Sequence, residues 1–584
     1  MKYKKSFFLI LFFCFTTSFY AQEEVVLDKT SEISKAKMYT APIEDQTFDK
    51  NKVLVKQLTK LTLINDPYKF NRDASRTKVF PYNSGEIVVD SFTIPKEKNL
   101  INELKSYLGT PITINNLDKI RAVITKHYQD QGYPVVGVSV PAKQVITRGQ
   151  VQVLILVAKL EKVKSTGAKW FSNKKIAEQV RLKPGQEITS TQILEDLDWL
   201  NNNPFRKVDL LYERGETLSQ TNMIFETTDR FPLRVYGGIE HTGNIVAGEN
   251  RWLTGFNWGD AWGIDHQING QFMCADRFSR WWGLSGNYVA PLPWRDIFKV
   301  FGSFVKTKPD AVTDRTITTP MEMRGKNWTV GARYFVRLPV FVSYKHKFFV
   351  GYDFKRTNNF LSFSLTMVYN YYIDVSQFLI GYEASNESSI GNTLFGLTFY
   401  MSPGKMTHYN TNRYYEQERS GASANYFYAR ATIDHLFPLH WNTSWALSSL
   451  FQWTSGKLLP SEQLSSGGFL SVRGYDENEI ISDRGFQIKN EYRFPKFSII
   501  KKGNFKDEMQ ILFFFDFAFA NDVDQEIFSK ESTVLASIGP GIRYNIYDYL
   551  NFRVDYGIQL NDMKNRPFTS GDRSRFHVGF VAAF

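Results

Sequence analysis

The segment Asn551-Phe-Arg-Val-Asp-Tyr-Gly-Ile-Gln-Leu560 decides the fold. Its even positions, Phe552, Val554, Tyr556, Ile558 and Leu560, are apolar, while Asn551, Arg553, Asp555, Gly557 and Gln559 are polar or small. A strand turns successive side chains to opposite faces, so one face of this segment suits oil and the other suits water. The alternation recurs in Val534, Ala536, Ile538, Ile542, Tyr544 and Ile546, and in Phe486, Ile488, Tyr492 and Phe494 set against Gln487, Lys489, Glu491 and Arg493. It returns in Phe576, Val578, Phe580, Ala582 and Phe584, where the chain stops on an aromatic. A soluble sandwich alternates too, but not with faces this thick in Phe and Tyr beside wet ones on strand after strand. In hydrocarbon a sheet has to close on itself, because an open edge leaves amides unpaired. An antiparallel transmembrane β-barrel over residues 232–584 is the reading.

Composition agrees. The chain has 584 residues, 49 of them Phe and 30 Tyr, yet charged residues make up 22%. That balance fits a wall with lipid on one side and water on the other. After the first residues there is no apolar run of about 18, the length a spanning helix needs, in keeping with a mean hydropathy of −0.32. The net charge of +12 comes without a basic block or a nucleic-acid motif, so nucleic acid is not an expected partner. Lys2, Lys4 and Lys5, an apolar run from Phe7 to Phe15, and then Thr16, Thr17, Ser18 and Ala21 read as a secretory signal over residues 1–21. Cys14 follows Phe13 where a lipoprotein signal needs a small residue, and the mature chain keeps only Cys274, so no intrachain disulfide forms.

Between signal and barrel the pattern changes twice. Residues 22–84 are polar and irregular and read as a flexible arm, with one weakly amphipathic stretch from Asn51 to Leu63 as a short helix. Residues 85–158 and 159–231 read as two copies of one unit. Gly109-Thr-Pro-Ile112-Thr113 and Gly185-Gln-Glu-Ile188-Thr189 match, Leu117 answers Ile193 and Ile124 answers Leu200, all at an offset of 76 (185 minus 109). Each copy reads strand, helix, helix, strand, strand. In the first, strands are expected at Ile87–Ile94, Val135–Val140 and Val151–Val157, with helices at Lys98–Leu108 and Asn115–Gln131. Dividing the 353 barrel residues (584 minus 231) by a trial count of 16 gives about 22 per strand and connection, although fourteen or eighteen strands also fit.

Phe469-Leu-Ser-Val-Arg-Gly-Tyr-Asp-Glu477 places one arginine, Arg473, on a loop made supple by Gly467, Gly468 and Gly474. Parity points Asp516, in Ile511–Phe519, and Glu491 into the barrel, so two inward carboxylates flank that loop. An arginine fork meeting carboxylates in a lumen would form a latch. On spacing alone the competing reading is an ordinary surface loop with a solvated arginine.

Val472-Arg473-Gly474-Tyr475, with Gly485 to Glu491 after it and Phe514-Phe515-Asp516 one strand later, resembles the signature of the barrels that include two-partner secretion transporters and barrel-assembly insertases. Two repeats followed by such a barrel look like the transporter branch (hemolysin activator/secretion-like), whose periplasmic units are polypeptide-transport-associated (POTRA) domains. Gly132-Tyr133 and Leu182-Lys-Pro-Gly185 also look like that branch. The resemblance implies a 16-stranded barrel in the outer membrane of a Gram-negative bacterium, POTRA domains in the periplasm, and a sixth extracellular loop whose Arg473 binds Asp516. Five strands are expected after that loop, starting near Arg484, Glu508, Ser532, Asn551 and Arg575. Family transporters carry a pore-plugging helix at the amino terminus, and Asn51–Leu63 matches it only weakly.

The expected function is export of an unfolded secreted client polypeptide through the pore without ATP. The client would dock by strand addition on the edge strand Val135, Val136, Gly137, Val138, Ser139 and Val140. Outer-membrane lipid is a further partner, and Phe584 reads as a C-terminal assembly signal, which adds the barrel assembly machinery during biogenesis. The alternative is an insertase that assembles other barrels and opens between its first strand, near Leu233, and its last. Catalysis is not expected. The eight histidines are scattered, no Gly-x-Ser-x-Gly or His-Glu-x-x-His occurs, and neither a metal site nor a cofactor site is indicated.

Overall fold

The computed structural model describes residues 50–584 except 70–76, 91, 142–143, 245–246, 310–320, 342, 364–365, 501–504, 525–532 and 562–571. The signal segment, Cys14 and residues 22–49 of the arm lie outside the described residues. Of the described residues, 50–230 form one compact unit and Phe231–Phe584 another.

In the first unit, β1 (Lys60–Ile64), β2 (Thr77–Tyr82) and β3 (Gly85–Asp90) precede α1 (Glu97–Leu104) and α2 (Ile114–Asp130), and β4 (Val136–Ser139) and β5 (Gln150–Val157) complete the domain. The sheet order is β2-β3-β1-β5-β4. The second domain runs β6 (Lys159–Thr166), α3 (Asn173–Glu178), α4 (Ser190–Leu200), β7 (Arg206–Arg214) and β8 (Gln220–Asp229), in the order β6-β8-β7. Thr113 caps α2 by accepting from the Asn116 amide at 3.1 Å, which satisfies one of the helix's free donors.

Two sequence expectations are corrected here. Residues 51–63 form no helix: the chain is extended, and Lys60–Ile64 is a strand with parallel neighbours on both sides. Leu61 and Leu63 alternate with Thr62, and that period of two buries both leucines completely against Ile87, Val89, Val151 and Val153. From residue 50 onward the expected arm is therefore part of the first domain. The repeat survives with a different first strand. Gly109 donates to the Leu58 carbonyl at 2.8 Å and the Leu58 amide to Thr110, as Gly185 donates to Leu160 at 2.7 Å and the Leu160 amide to Gln186. The sheet β1-β5-β4 thus answers β6-β8-β7, and the hairpin β2-β3, which includes the expected first strand, is an insertion that widens the sheet.

The second unit is a closed barrel of 16 antiparallel strands. The first strand, Leu233–Glu240, pairs with the last, Ser574–Ala583, over five positions from Gly579↔Glu240 to Ala583↔Tyr236. Phe584 extends this seam, exchanging hydrogen bonds with Val235 at 2.8 and 2.9 Å. An even strand count brings both barrel termini to one end. Phe552, Ile558, Phe576 and Phe580 lie exposed on the outer face, whereas Asp516, Asp555 and His577 of the opposite parity are fully buried. After the loop carrying Arg473 come strands 12 to 16, Arg484–Arg493, Asp507–Asn521, Thr533–Ile546, Leu550–Gln559 and Ser574–Ala583. Their starts fall within two residues of those read from sequence. Among the described residues no helix is long and apolar enough to cross a membrane, and Cys274 is free.

If β1 is integral to the first domain, Leu63→Ala costs about 2–5 kcal/mol in urea unfolding of residues 50–230. Lys52→Ala, on the exposed approach to the strand, changes stability by less than about 0.5 kcal/mol.

Candidate functional site

The loop between strands 11 (Ser444–Thr454) and 12 is pinned at its base by a short hairpin, Leu464–Ser466 with Ile480–Ser482. Its tip then runs along the inner face of strands 12 to 16. Gly474 has φ +90°, and a Cβ there would stand 2.8 Å from the Gly557 carbonyl carbon. Reciprocally, a Cβ on Gly557 would stand 2.4 Å from the Gly474 nitrogen. Two glycines therefore let loop backbone and wall backbone touch. Further anchors flank this contact. The Gly474 amide donates to His577 Nε2 at 3.0 Å, Gln559 Nε2 donates to the Gly474 carbonyl at 2.7 Å, and the Tyr475 hydroxyl donates to Ala536 at 3.0 Å. Val472 and Tyr475 are buried against Ala518, Ala520 and Leu535.

Arg473 is completely buried. Nε and Nη2 donate to Asp516 Oδ2 and Oδ1 at 2.7 and 2.9 Å, Nη1 donates to Glu491 at 2.6 Å, and the Arg473 amide donates to Asp516 at 3.1 Å. Asp555 lies 3.5 Å from Nη1. The guanidinium sits 3.6 Å from the centroid of the Phe514 ring, which adds a cation–π contact. Three carboxylates around one cation would repel each other, and three more arginines answer them. Arg493 reaches Glu491 at 2.8 Å, Arg553 reaches Asp555 at 2.9 Å, and Arg543 bridges both at 3.2 and 2.8 Å. Four guanidinium groups thus face three carboxylates, all from strands 12 to 15 and the loop tip.

The structure brings Arg473, Asp516 and Glu491 together. Sequence reasoning missed Asp555, Arg543, Arg553, Arg493 and His577. All five were legible as inward positions by parity, but no rule of spacing joined them to the loop. Also missed was a second buried network that holds the loop's descending arm. Glu462 accepts from Lys355 at 2.8 Å, Tyr428 at 2.7 Å and Gln377 at 3.1 Å. Asp483 takes both ends of the Arg419 fork, the Nη2 bond being 2.8 Å. Arg419 ends a short helix, Asn412–Glu418, in the loop between strands 9 and 10.

Among the described residues of the first domain, β4 stands at the sheet edge and pairs only with β5. The Ala158 amide bonds to the Val135 carbonyl at 3.1 Å, so alternation turns the backbone groups of Val136 and Val138 away from β5. Arg121 Nε covers one of them, the Val138 carbonyl, at 3.1 Å. The side chains of Val136 and Val138 are buried, and Gly137 and Ser139 are exposed. Among the described residues no group of three or more His, Cys, Asp or Glu could hold a metal.

The barrel of sixteen strands holds an arginine-tipped loop inside it, and two βααββ-type domains precede it in the chain. Residues 220–543, more than half of the chain, match the family described as "Haemolysin secretion/activation protein ShlB/FhaC/HecB", and residues 84–157 match the ShlB-type POTRA domain. The chain belongs to that family, the transporter side of two-partner secretion. The heme/hemopexin transporter protein HuxB of Haemophilus influenzae is 20% identical over 549 residues, covering 87% of both chains. CdiB from Escherichia coli has the same fold, with a TM-score of 0.71 at 13% identity over 97% of this chain and 98% of the other. CdiB from Acinetobacter baumannii gives 0.62 at 13% identity over 97% of both.

Removing one member of the buried cluster strands the others. Asp516→Ala is expected to destabilise the loop by about 3–5 kcal/mol, and Gly474→Ala to lift the tip from Gly557. Protease cleavage within residues 469–477 of detergent-solubilised protein rises in both and stays at background in Lys496→Ala, whose ion pair with Glu508 is exposed.

Proposed function

We propose that this chain sits in the outer membrane with its POTRA domains in the periplasm, takes an unfolded partner polypeptide on the first of those domains, and passes it through the barrel. No nucleotide is consumed: the client folds outside, and folding makes the passage one-way. The observation that carries this reading is the wholly buried Arg473, held by both oxygens of Asp516 and by Glu491. A charge sequestered inside a barrel is worth keeping only where its pairing can be made and unmade or must be held. Pairing holds the loop within the pore, and release of the fork would widen the path for an extended chain.

Docking would use the outward amides of β4. An extended client adding beside Val136 and Val138 gains main-chain hydrogen bonds whatever its sequence, and displaces the Arg121 cap. The insertase alternative shares the same loop, and the nature of the client, secreted or membrane-embedded, separates the two.

Arg473→Ala and Asp516→Ala are each expected to leave the barrel in the membrane and to lower secretion of the client by about tenfold or more; normal export by both refutes the latch. Val138→Pro removes one outward donor at the edge without touching a bond to β5. It should weaken capture of the client by the purified protein several-fold while pore conductance in planar bilayers is unchanged.

A further inference from the structure

On the outer face of strands 4 to 7, two lysines stand directly opposite each other. Strand 5 (Ile297–Thr307) pairs with strand 6 (Met321–Arg337) in a register that sets Lys306 against Lys326. Directly opposed residues on neighbouring strands hold their Cβ atoms roughly 5 Å apart, and like charges there destabilise the pair. Both side chains are exposed, and neither makes an ion pair or hydrogen bond with the described residues. Their parity is that of Phe298, Leu284 and Val330, which are exposed on the outer wall.

Position along the strands gives this pair its meaning. Lys306 stands next to the end of an ascending strand, and Lys326 faces it from a descending one that begins five residues earlier at Met321, so both lie on the half of the wall remote from the barrel termini. Two residues nearer the barrel middle lie Phe304 and Trp328, paired with each other in register. They belong to a strip of rings on neighbouring strands. Phe278 stacks on Trp282 at 5.8 Å, Trp282 meets Phe304 at 5.3 Å, and Trp328 meets Phe354 at 4.9 Å. Such a strip marks the level where acyl chains give way to headgroups. The lysines stand one step above it, at headgroup height. Arg324, two residues from Lys326 on the same face, is exposed with its guanidinium 5.5 Å from the Phe360 ring.

We propose that Lys306 and Lys326 form the anion-binding end of a site for a phosphorylated lipid of the outer leaflet, whose acyl chains lie on the strip from Trp282 to Phe354. A phosphate between the two ammonium groups turns a repulsive cross-strand pair into a bridged one, and the rings below supply the apolar contact that a free phosphate lacks. The site rests on the outer-membrane placement proposed above.

The test uses full-length protein in a zwitterionic detergent with a bisphosphorylated glycolipid as probe, read by native mass spectrometry. Lys306→Gln with Lys326→Gln should lower retained glycolipid roughly tenfold, and the dephosphorylated glycolipid should bind the natural chain as weakly. Excess inorganic phosphate should not displace the lipid. Lys174→Gln with Lys207→Gln, the same charge change on exposed side chains of the second domain, should retain it fully. Undiminished retention by the first variant, equal loss in the second, or displacement by phosphate alone overturns the proposal. Insertion of each protein into phosphatidylcholine nanodiscs is scored separately, so failure of the membrane reading is seen there and not in lipid retention.

Discussion

In hydrocarbon no backbone amide can be left without a partner, and that requirement closes the sheet of residues 233–583 into a ring. Closure then dictates the rest. Once each strand has one face in lipid and one in a lumen, polar side chains are forced inward in rows, and their charges have to be reconciled with each other in a confined space. The cluster around Arg473 is the outcome. Glu491, Asp516 and Asp555 come from three different strands and converge because the register sets them in successive inward rows of one inner surface. None of them would tolerate that surface alone.

The cluster also explains why the loop is glycine-rich at one place and aromatic at another. Backbone contact between Gly474 and Gly557 brings the tip close enough for the Arg473 amide itself to reach Asp516. Tyr475 then closes the space behind it, its hydroxyl satisfied by a strand carbonyl. Flexibility and rigidity serve one end: a chain supple enough to enter the lumen, and groups that fix it once there. The second network, at Glu462 and Asp483, holds the descending arm and leaves the tip as a separate unit.

How much of this was legible before the structure follows from the range of each interaction. Alternation is local, so strand positions from Arg484 onward and the inward aim of Asp516 and Glu491 could be read residue by residue. The resemblance then joined Arg473 to Asp516. Strand pairing is not local. Lys60–Ile64 looked like part of an arm because its neighbours, Glu86–Val89 and Gln150–Leu154, lie far along the chain. Proximity to the first helix makes Ile87–Ile94 the expected opening strand of the repeat, whereas the hydrogen bonds from Gly109 to Leu58 and from Gly185 to Leu160 assign that part to the earlier segment. Arg419 and Glu462 were invisible for the same reason, since loops from different strand pairs meet only after the ring has closed.

The central placement of β1 has a consequence for the order in which the domain can be built. Its two partners begin 26 and 90 residues downstream (86 minus 60 and 150 minus 60). A chain emerging from its amino end exposes Leu61 and Leu63 first and covers them last, when β5 arrives. Until then the strand has β3 on one edge and nothing on the other, and the pairing that completes it spans 90 residues, a long-range contact of the kind that slows folding.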